Sequence, residues 1–383
     1  MIKQPSRVEL LNLERDLQQQ KKVTKKVLKL LEAGGVEALK DLSPKFRGLG
    51  LLEALLERSW ALRHDDPGQM IQLALLGTQI ARELDARKYG VEKLLDFQCR
   101  SWAALGNAYR VADQLDSAQM ALGHADELYH QGSGDKELGV SVLDLQASLA
   151  GDRRRFGLAC QTLTSIYHHH QKSGNNHLAG KALIGKGLYM GYWGKPEEAL
   201  EILREGLSLI DVNLDAELTF AAVHNQVTFL VDCGRFKDAK KVLFLNRRYM
   251  TEGLGRVNVL RVRWEEGRID AGLGALVSAE QAFREVKQKA EEVKRPFDSA
   301  LVSLDLAAVL MKLNRRQEAQ ELVIEAARVF TALRIEREAW MAVLMLERSF
   351  EMEQASAVLV EEVATFVRRS RNDSTARFDP PPL

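Results

Sequence analysis

The sequence predicts an all-α solenoid of about eight antiparallel helical hairpins, because one residue pattern recurs about every 40 positions. The pattern is clearest in a column of alanines. These are Ala118, Ala159, Ala199, Ala239, Ala279 and Ala319. An apolar residue follows each alanine by four positions, and a small or compact residue precedes it by twelve. Such a repeat is typical of helical hairpins that bury their apolar faces against their neighbours.

One segment shows which kind of hairpin repeats. It carries, in order, Trp102, Leu105, Gly106, Tyr109, Ala118, Leu122 and Ala125. Trp102, Leu105 and Tyr109 form one apolar stripe on a first helix, the A helix. Gly106 and Ala118 allow the second helix, the B helix, to cross closely.

This spacing resembles the tetratricopeptide repeat (TPR), with Leu in place of the usual Phe. The 40-residue unit exceeds the usual length of about 34 residues. It is similar to the long TPR units of bacterial regulators, such as the sensor domains of maltose-activator-type transcription factors and of peptide-sensing regulators. The resemblance covers about residues 49–370. It implies a right-handed superhelix whose A helices line a concave groove.

The repeat period divides the chain into three parts. Residues 1–45 are expected to form an N-terminal helical cap or extension, 46–371 the repeat domain and 372–383 a disordered tail. The predicted hairpins are about 49–84, 88–130, 135–172, 176–211, 215–252, 256–292, 296–333 and 337–370. We expect Trp60 to pack inside the first hairpin.

Residues 6–33 form a candidate amphipathic helix with a basic middle. Three interpretations remain open. The helix can cap the first repeat, form a short coiled coil that makes a homodimer, or act as a basic arm for a phosphate or membrane surface.

Composition narrows the choice of partner and compartment. The net charge of +1 predicts neither a nucleic-acid partner nor an anionic membrane. The N-terminus lacks the apolar region of a signal peptide, and no apolar run approaches the roughly 18 residues of a membrane span. Three scattered cysteines, Cys99, Cys160 and Cys233, favour core packing in a reducing compartment. We therefore expect a cytoplasmic protein.

No motif indicates catalysis, a cofactor or a metal. Gly180–Gly187 nearly matches a phosphate-binding loop, but Gly187 replaces the hydroxyl residue that holds magnesium, and no strand is expected before it. The consecutive residues His168, His169 and His170 point roughly 100° apart on a helix, so they do not converge on one ion. We expect them at an exposed helix end. The sequence thus predicts a protein that is not an enzyme.

The expected groove is the remaining candidate site. The TPR resemblance implies that positions 2, 5, 9 and 12 of each unit face the groove when the column alanine is position 20. Chosen from these positions, the candidate partner-binding residues are Arg100, Asn107, Arg110, Asp144, Lys181, His224, Arg261, Trp264 and Arg268. Arginine side chains bind carboxylates through two hydrogen bonds, and an aromatic side chain supplies an anchor. These residues suit a peptide with an acidic or C-terminal carboxylate group. The alternative is that they contact one another.

The sequence therefore predicts a non-catalytic scaffold or adaptor that holds a partner protein or peptide in the concave groove. The alternative is a sensor, in which a ligand or signalling peptide changes the superhelix and so switches a partner. The adaptor hypothesis predicts that Arg110→Glu combined with Arg268→Glu abolishes partner binding and leaves helicity and melting temperature nearly unchanged.

Overall fold

The computed structural model describes residues 25–26, 29–30, 47–63, 65–251, 255–372 and 376–380. Within these ranges every regular element is helical, which confirms the all-α solenoid. The predicted helix at 6–33 lies almost wholly outside the described residues. Its roles as a cap, a dimer contact or a basic arm stay predictions.

Eighteen helices make up the described chain. They are α1 (Leu49–Ala61), α2 (Pro67–Glu83), α3 (Ala86–Tyr89), α4 (Val91–Val111), α5 (Leu115–Gln131), α6 (Lys136–Asp152), α7 (Phe156–Lys172), α8 (Asn176–Tyr192), α9 (Pro196–Leu209), α10 (Ala216–Asp232), α11 (Phe236–Leu245), α12 (Arg247–Thr251), α13 (Arg256–Gly272), α14 (Leu276–Glu292), α15 (Pro296–Lys312), α16 (Arg316–Leu333), α17 (Arg337–Glu351) and α18 (Ala357–Ser370). Apart from the short α3 and α12, consecutive helices pair into eight hairpins. The first helix of each pair is the A helix and the second is the B helix.

The chain divides into two compact units, Met1–Ile166 and Tyr167–Leu383. In the first unit α4 packs against α2, α5 and α6. In the second unit α15 packs against α14 and α16. The last hairpin departs from the pattern, because its B helix α18 packs on the A helix α15 while α17 packs on α16. Arg368, in the last turn of α18, and Arg371, just after it, thereby reach the A helix α15 of the second unit.

Close helix crossings explain the repeat pattern. All six column alanines are 0% exposed. A Cβ atom on Gly106 would lie 2.7 Å from Leu122, and one on Gly187 would lie 2.7 Å from Leu203. Any larger residue at these glycines would collide with the apolar residue four positions after the column alanine. This confirms the close crossing expected at Gly106.

Several local features differ from expectation. Trp60 is 53% exposed at the end of α1, so it does not pack inside the first hairpin. His170 is buried, although its two histidine neighbours are not. Disorder was expected for 372–383, but Ala376 is buried and the Phe378 ring lies 5.1 Å from that of Phe366. Segment 376–380 has no regular secondary structure and packs on the last hairpin through Ala376 and Phe378.

Other expectations agree with the structure. The segment Gly180–Gly187 lies inside α8 and not in a loop. Cys99 and Cys160 are buried, as core packing predicts, whereas Cys233 is only half-buried at the end of α10. Among the described residues, no helix is long and apolar enough to cross a membrane.

Candidate functional site

The predicted partner-binding residues fall into two groups, one in each compact unit. The first unit holds Arg100, Asn107 and Arg110 on α4 and Asp144 on α6. The second unit holds Lys181 on α8, His224 on α10, and Arg261, Trp264 and Arg268 on α13. On α13 the three side chains share one face, because they follow i, i+3 and i+7 spacing.

In the first unit, the arginines contact other polar side chains of the protein. Arg100 donates two hydrogen bonds to the Glu53 carboxylate on α1, at 2.8 and 2.9 Å. Arg110 donates to the Asn107 side-chain oxygen at 3.1 and 3.0 Å and to Asp152 on α6 at 2.7 Å. Asn107 is buried. Arg100 and Arg110 therefore link α4 to neighbouring hairpins.

In the second unit, Arg268 lies at the centre of a buried polar network. Its guanidinium donates to both oxygens of Glu265, at 3.1 and 3.0 Å, and to Asp232 on α10 at 2.6 Å. The Thr228 hydroxyl also donates to Glu265, at 3.1 Å. Burial alone would lower the pKa of Arg268, but the negative charges of Glu265 and Asp232 outweigh it and raise the pKa. The Arg268 side chain is 11% exposed, and its charge is already matched.

Trp264 is held in place by α15 and by α18, the B helix of the last hairpin that packs on α15. Its indole N–H donates to Asp305 on α15 at 2.7 Å. Arg368 on α18 donates to both oxygens of the same carboxylate, at 2.7 and 2.6 Å. The Arg368 guanidinium also lies 5.9 Å from the centre of the Trp264 ring. The predicted anchor residue is thus held in one orientation on the A-helix side of the unit.

Arg261 differs from the other three arginines of the predicted site, because no carboxylate accepts a hydrogen bond from it. It is exposed and makes no hydrogen bond or ion pair with any described residue. The carboxylate in its electrostatic range, Asp298, is buried and accepts hydrogen bonds from Arg295 and, at 3.2 Å, from Arg371. Burial and the positive charge of Arg295 lower the pKa of Arg261. An anion placed here would relieve that repulsion.

His224 is half-buried beside the same α13 face. Its ring lies 5.6 Å from that of Phe220. Burial lowers the pKa of His224, and the attraction of Glu265 offsets this only in part. Lys181 is exposed on α8, and Asp144 is half-buried on α6.

Sequence reasoning missed the residues that surround Arg261. Arg295 lies just before α15, and Arg371 lies just after α18. Asp298 sits in the first turn of α15, where an acidic residue is expected at any helix start. No spacing in the sequence joins Arg371 to the distant Asp298. The packing of α18 on α15 brings them together.

Comparison with known proteins identifies the fold. No protein-family model and no curated protein sequence matches the chain. One similar solved structure is a Rap protein complexed with Competence and Sporulation Factor, with a TM-score of 0.60 and 11% identity over 84% of this chain and 87% of that one. Another is the apo form of the quorum sensor NprR from B. thuringiensis, with a TM-score of 0.54 and 12% identity over 88% of this chain and 99% of that one.

These similarities, together with the buried alanine column and the paired helices, establish the repeat type. At this level of identity they show the fold alone. The chain is an all-α solenoid built from TPR-type helical hairpins.

Proposed function

We propose that the chain is a non-catalytic scaffold or adaptor that binds a partner protein or peptide on the A-helix side of its hairpins. The fold supports this, because TPR-type repeats present long polar surfaces and carry no chemistry of their own. The proposed contact residues remain the nine predicted ones. We expect the two groups to contribute differently, since most of the arginines already have partners within the chain.

The unpartnered Arg261 is the observation that carries the proposal. The Arg261 guanidinium is close enough to Arg295 and Arg371 to feel their positive charge, and Asp298 accepts hydrogen bonds from those two arginines and not from Arg261. Arg261 therefore has positive charge to offer a ligand. A peptide carboxylate can accept two hydrogen bonds from it. Trp264 lies one turn further along α13, on the same face of the helix as Arg261.

Affinity capture from native lysate, read by mass spectrometry, tests this function. The baits are wild type, Arg261→Glu and the matched control Arg328→Glu on the B helix α16. Arg328 is exposed and has no partner among the described residues. The proposal expects a protein that is captured by wild type and R328E and lost with R261E. Equal capture by all three baits would refute it.

A sensor is the second candidate, and ion pairs between neighbouring hairpins favour it. Arg110 bridges α4 to α6, and Arg268 bridges α10 to α13. A ligand that re-pairs such groups would change the angle between hairpins. The test is thermal unfolding with the low-molecular-mass fraction of the lysate. A sensor is stabilised by that fraction through mass action, whereas an adaptor is not.

Location and assembly belong to the same proposal. We propose a cytoplasmic protein that acts without a cofactor and binds neither nucleic acid nor membrane. The three free thiols and the balanced charge support this. A homodimer through residues 6–33 remains possible for the adaptor and for the sensor.

A further inference from the structure

The B helix of the fifth hairpin carries an exposed apolar patch. None of its residues is among those proposed above to bind a partner on the A-helix side. Phe244 and Leu245, at the end of α11, are 73% and 68% exposed. Lys237, Lys241 and Phe244 share one face of α11, because they follow i, i+4 and i+7 spacing. We define these four residues, together with Arg247 on α12, as the fifth-hairpin patch.

Equivalent positions in other hairpins show how unusual the patch is. Phe244 and Leu245 stand five and six residues after the column alanine Ala239. The equivalent pairs are Gly123-His124, Thr164-Ser165, Arg204-Glu205, Arg284-Glu285 and Ile324-Glu325. At least one member of each pair is polar, and two of the pairs are Arg-Glu. Because the other five hairpins fold without an apolar pair at these positions, the fold does not require one in the fifth hairpin.

The helix is also interrupted at this point. The B helix α11 ends after 10 residues, whereas the B helices of the other hairpins run for 14 to 18. Asn246 separates it from α12. The break leaves a cavity of about 350 Å³ between α11, α12 and α13. Its apolar lining includes Leu243, Phe244, Met250 and Val262, so an apolar side chain from outside has a place to enter. The two carboxylates in the lining, Glu266 and Asp270, are already paired with Arg263 and Lys240.

The patch itself carries three positive charges that no carboxylate of the described residues neutralises. Lys237, Lys241 and Arg247 are exposed, and none has a carboxylate partner among the described residues. The acidic residue of α11, Asp238, pairs with Arg235 at 2.8 Å. An exposed apolar pair with surplus cations is typical of a surface that binds an acidic, amphipathic partner.

We propose that the fifth-hairpin patch is a docking site for an acidic amphipathic helix of a partner protein. An apolar side chain of that helix enters the cavity beside Phe244, and its flanking Asp or Glu residues pair with Lys237, Lys241 and Arg247. The basic segment around Lys25 and Lys29 of this chain does not fit, because it carries the same charge as the patch. Leu30, beside it, packs on the core of the first unit.

Fluorescence anisotropy with the full chain tests the site. The probes are labelled peptides of about five helical turns, one an amphipathic Leu/Glu sequence and the other the same pattern in Leu/Lys. Wild type is expected to bind the Leu/Glu peptide at least about tenfold more tightly than the Leu/Lys peptide. Because ionic contacts are screened by salt, that preference should fall as ionic strength rises.

Two variants separate the apolar from the charged contribution. F244R/L245E introduces the pair found in the fourth and sixth hairpins, so the fold should tolerate it. This variant is expected to lose about tenfold or more in affinity for the Leu/Glu peptide. K237E/K241E should reverse the peptide preference. Val277→Arg on α14 is the matched control, because Val277 is an isolated apolar residue that is 74% exposed, and it should bind like wild type.

Four results would overturn the proposal. The first is equal affinity for both peptides, or no binding of either. The second is an F244R/L245E chain with a lowered melting temperature, which makes the pair structural. The third is binding of wild type to vesicles of anionic phospholipid and not to peptide. The fourth is a dimer of wild type in light scattering that F244R/L245E abolishes, which makes the patch a contact between copies.

Discussion

The α13 face and the fifth-hairpin patch use charge in opposite ways. On α13, Arg268 is buried and paired with two carboxylates, and Trp264 is bound to Asp305. On the patch, the cations surround exposed Phe244 and have no described partners. The comparison teaches that a charged residue at a groove position is not by itself a ligand contact. Its existing partners decide whether it holds the solenoid together or is available to another molecule.

Reversing the charge of Arg268 should have the largest effect. Arg268→Glu places a third carboxylate beside Glu265 and Asp232 in a buried site, and breaking a buried ion pair costs about 3–5 kcal/mol. We expect that loss in the free energy of unfolding, measured by urea denaturation. This replaces the expectation that R110E with R268E leaves stability unchanged. R261E is the control, and a loss of equal size in both would contradict the distinction drawn between the two arginines.

Removing the charge of Arg261 should affect binding and not folding. Arg261→Gln removes a guanidinium that can make charge-assisted hydrogen bonds, each contributing about 1.5–3 kcal/mol. We expect affinity for the partner found by capture to fall about tenfold or more in calorimetry. The melting temperature should stay within error of wild type. Unchanged affinity would place the contact elsewhere.

His224 should make stability depend on pH. Burial lowers its folded pKa, so the unfolded chain takes up the proton first as pH falls. The stabilising contribution is complete above the unfolded pKa of about 6.5 and is lost as pH falls toward the folded pKa. Urea denaturation at several pH values should show this slope in wild type. His224→Gln should flatten it, and an unchanged slope in H224Q would contradict the assignment to His224.

Changing the patch should have the smallest effect on stability. Because Phe244 and Leu245 are already largely in water, F244R/L245E should alter the free energy of unfolding by no more than about 0.5 kcal/mol. The same denaturation series measures it. A loss above about 2 kcal/mol would show that the pair closes the neighbouring cavity.

The repeat could be predicted from sequence because it depends on short-range geometry. Ala279 is buried and Gly267 faces Phe283 only 16 positions further along, so the close crossing leaves a local signature. The contacts among the site residues leave no such local signature in the sequence. Arg368 and Asp305 are 63 positions apart and meet only because α18 packs on α15. The last hairpin lacks the alanine column, so the packing of its B helix α18 on α15 could not be predicted.

Affinity capture with R261E and F244R/L245E side by side tests whether a partner binds at Arg261. We expect a protein that R261E loses and that F244R/L245E and R328E both retain. Such a result would assign partner binding to the unpartnered arginine of the A-helix side. If every captured protein survives the R261E change, the claim is contradicted, and the A-helix charges serve only to hold the hairpins together.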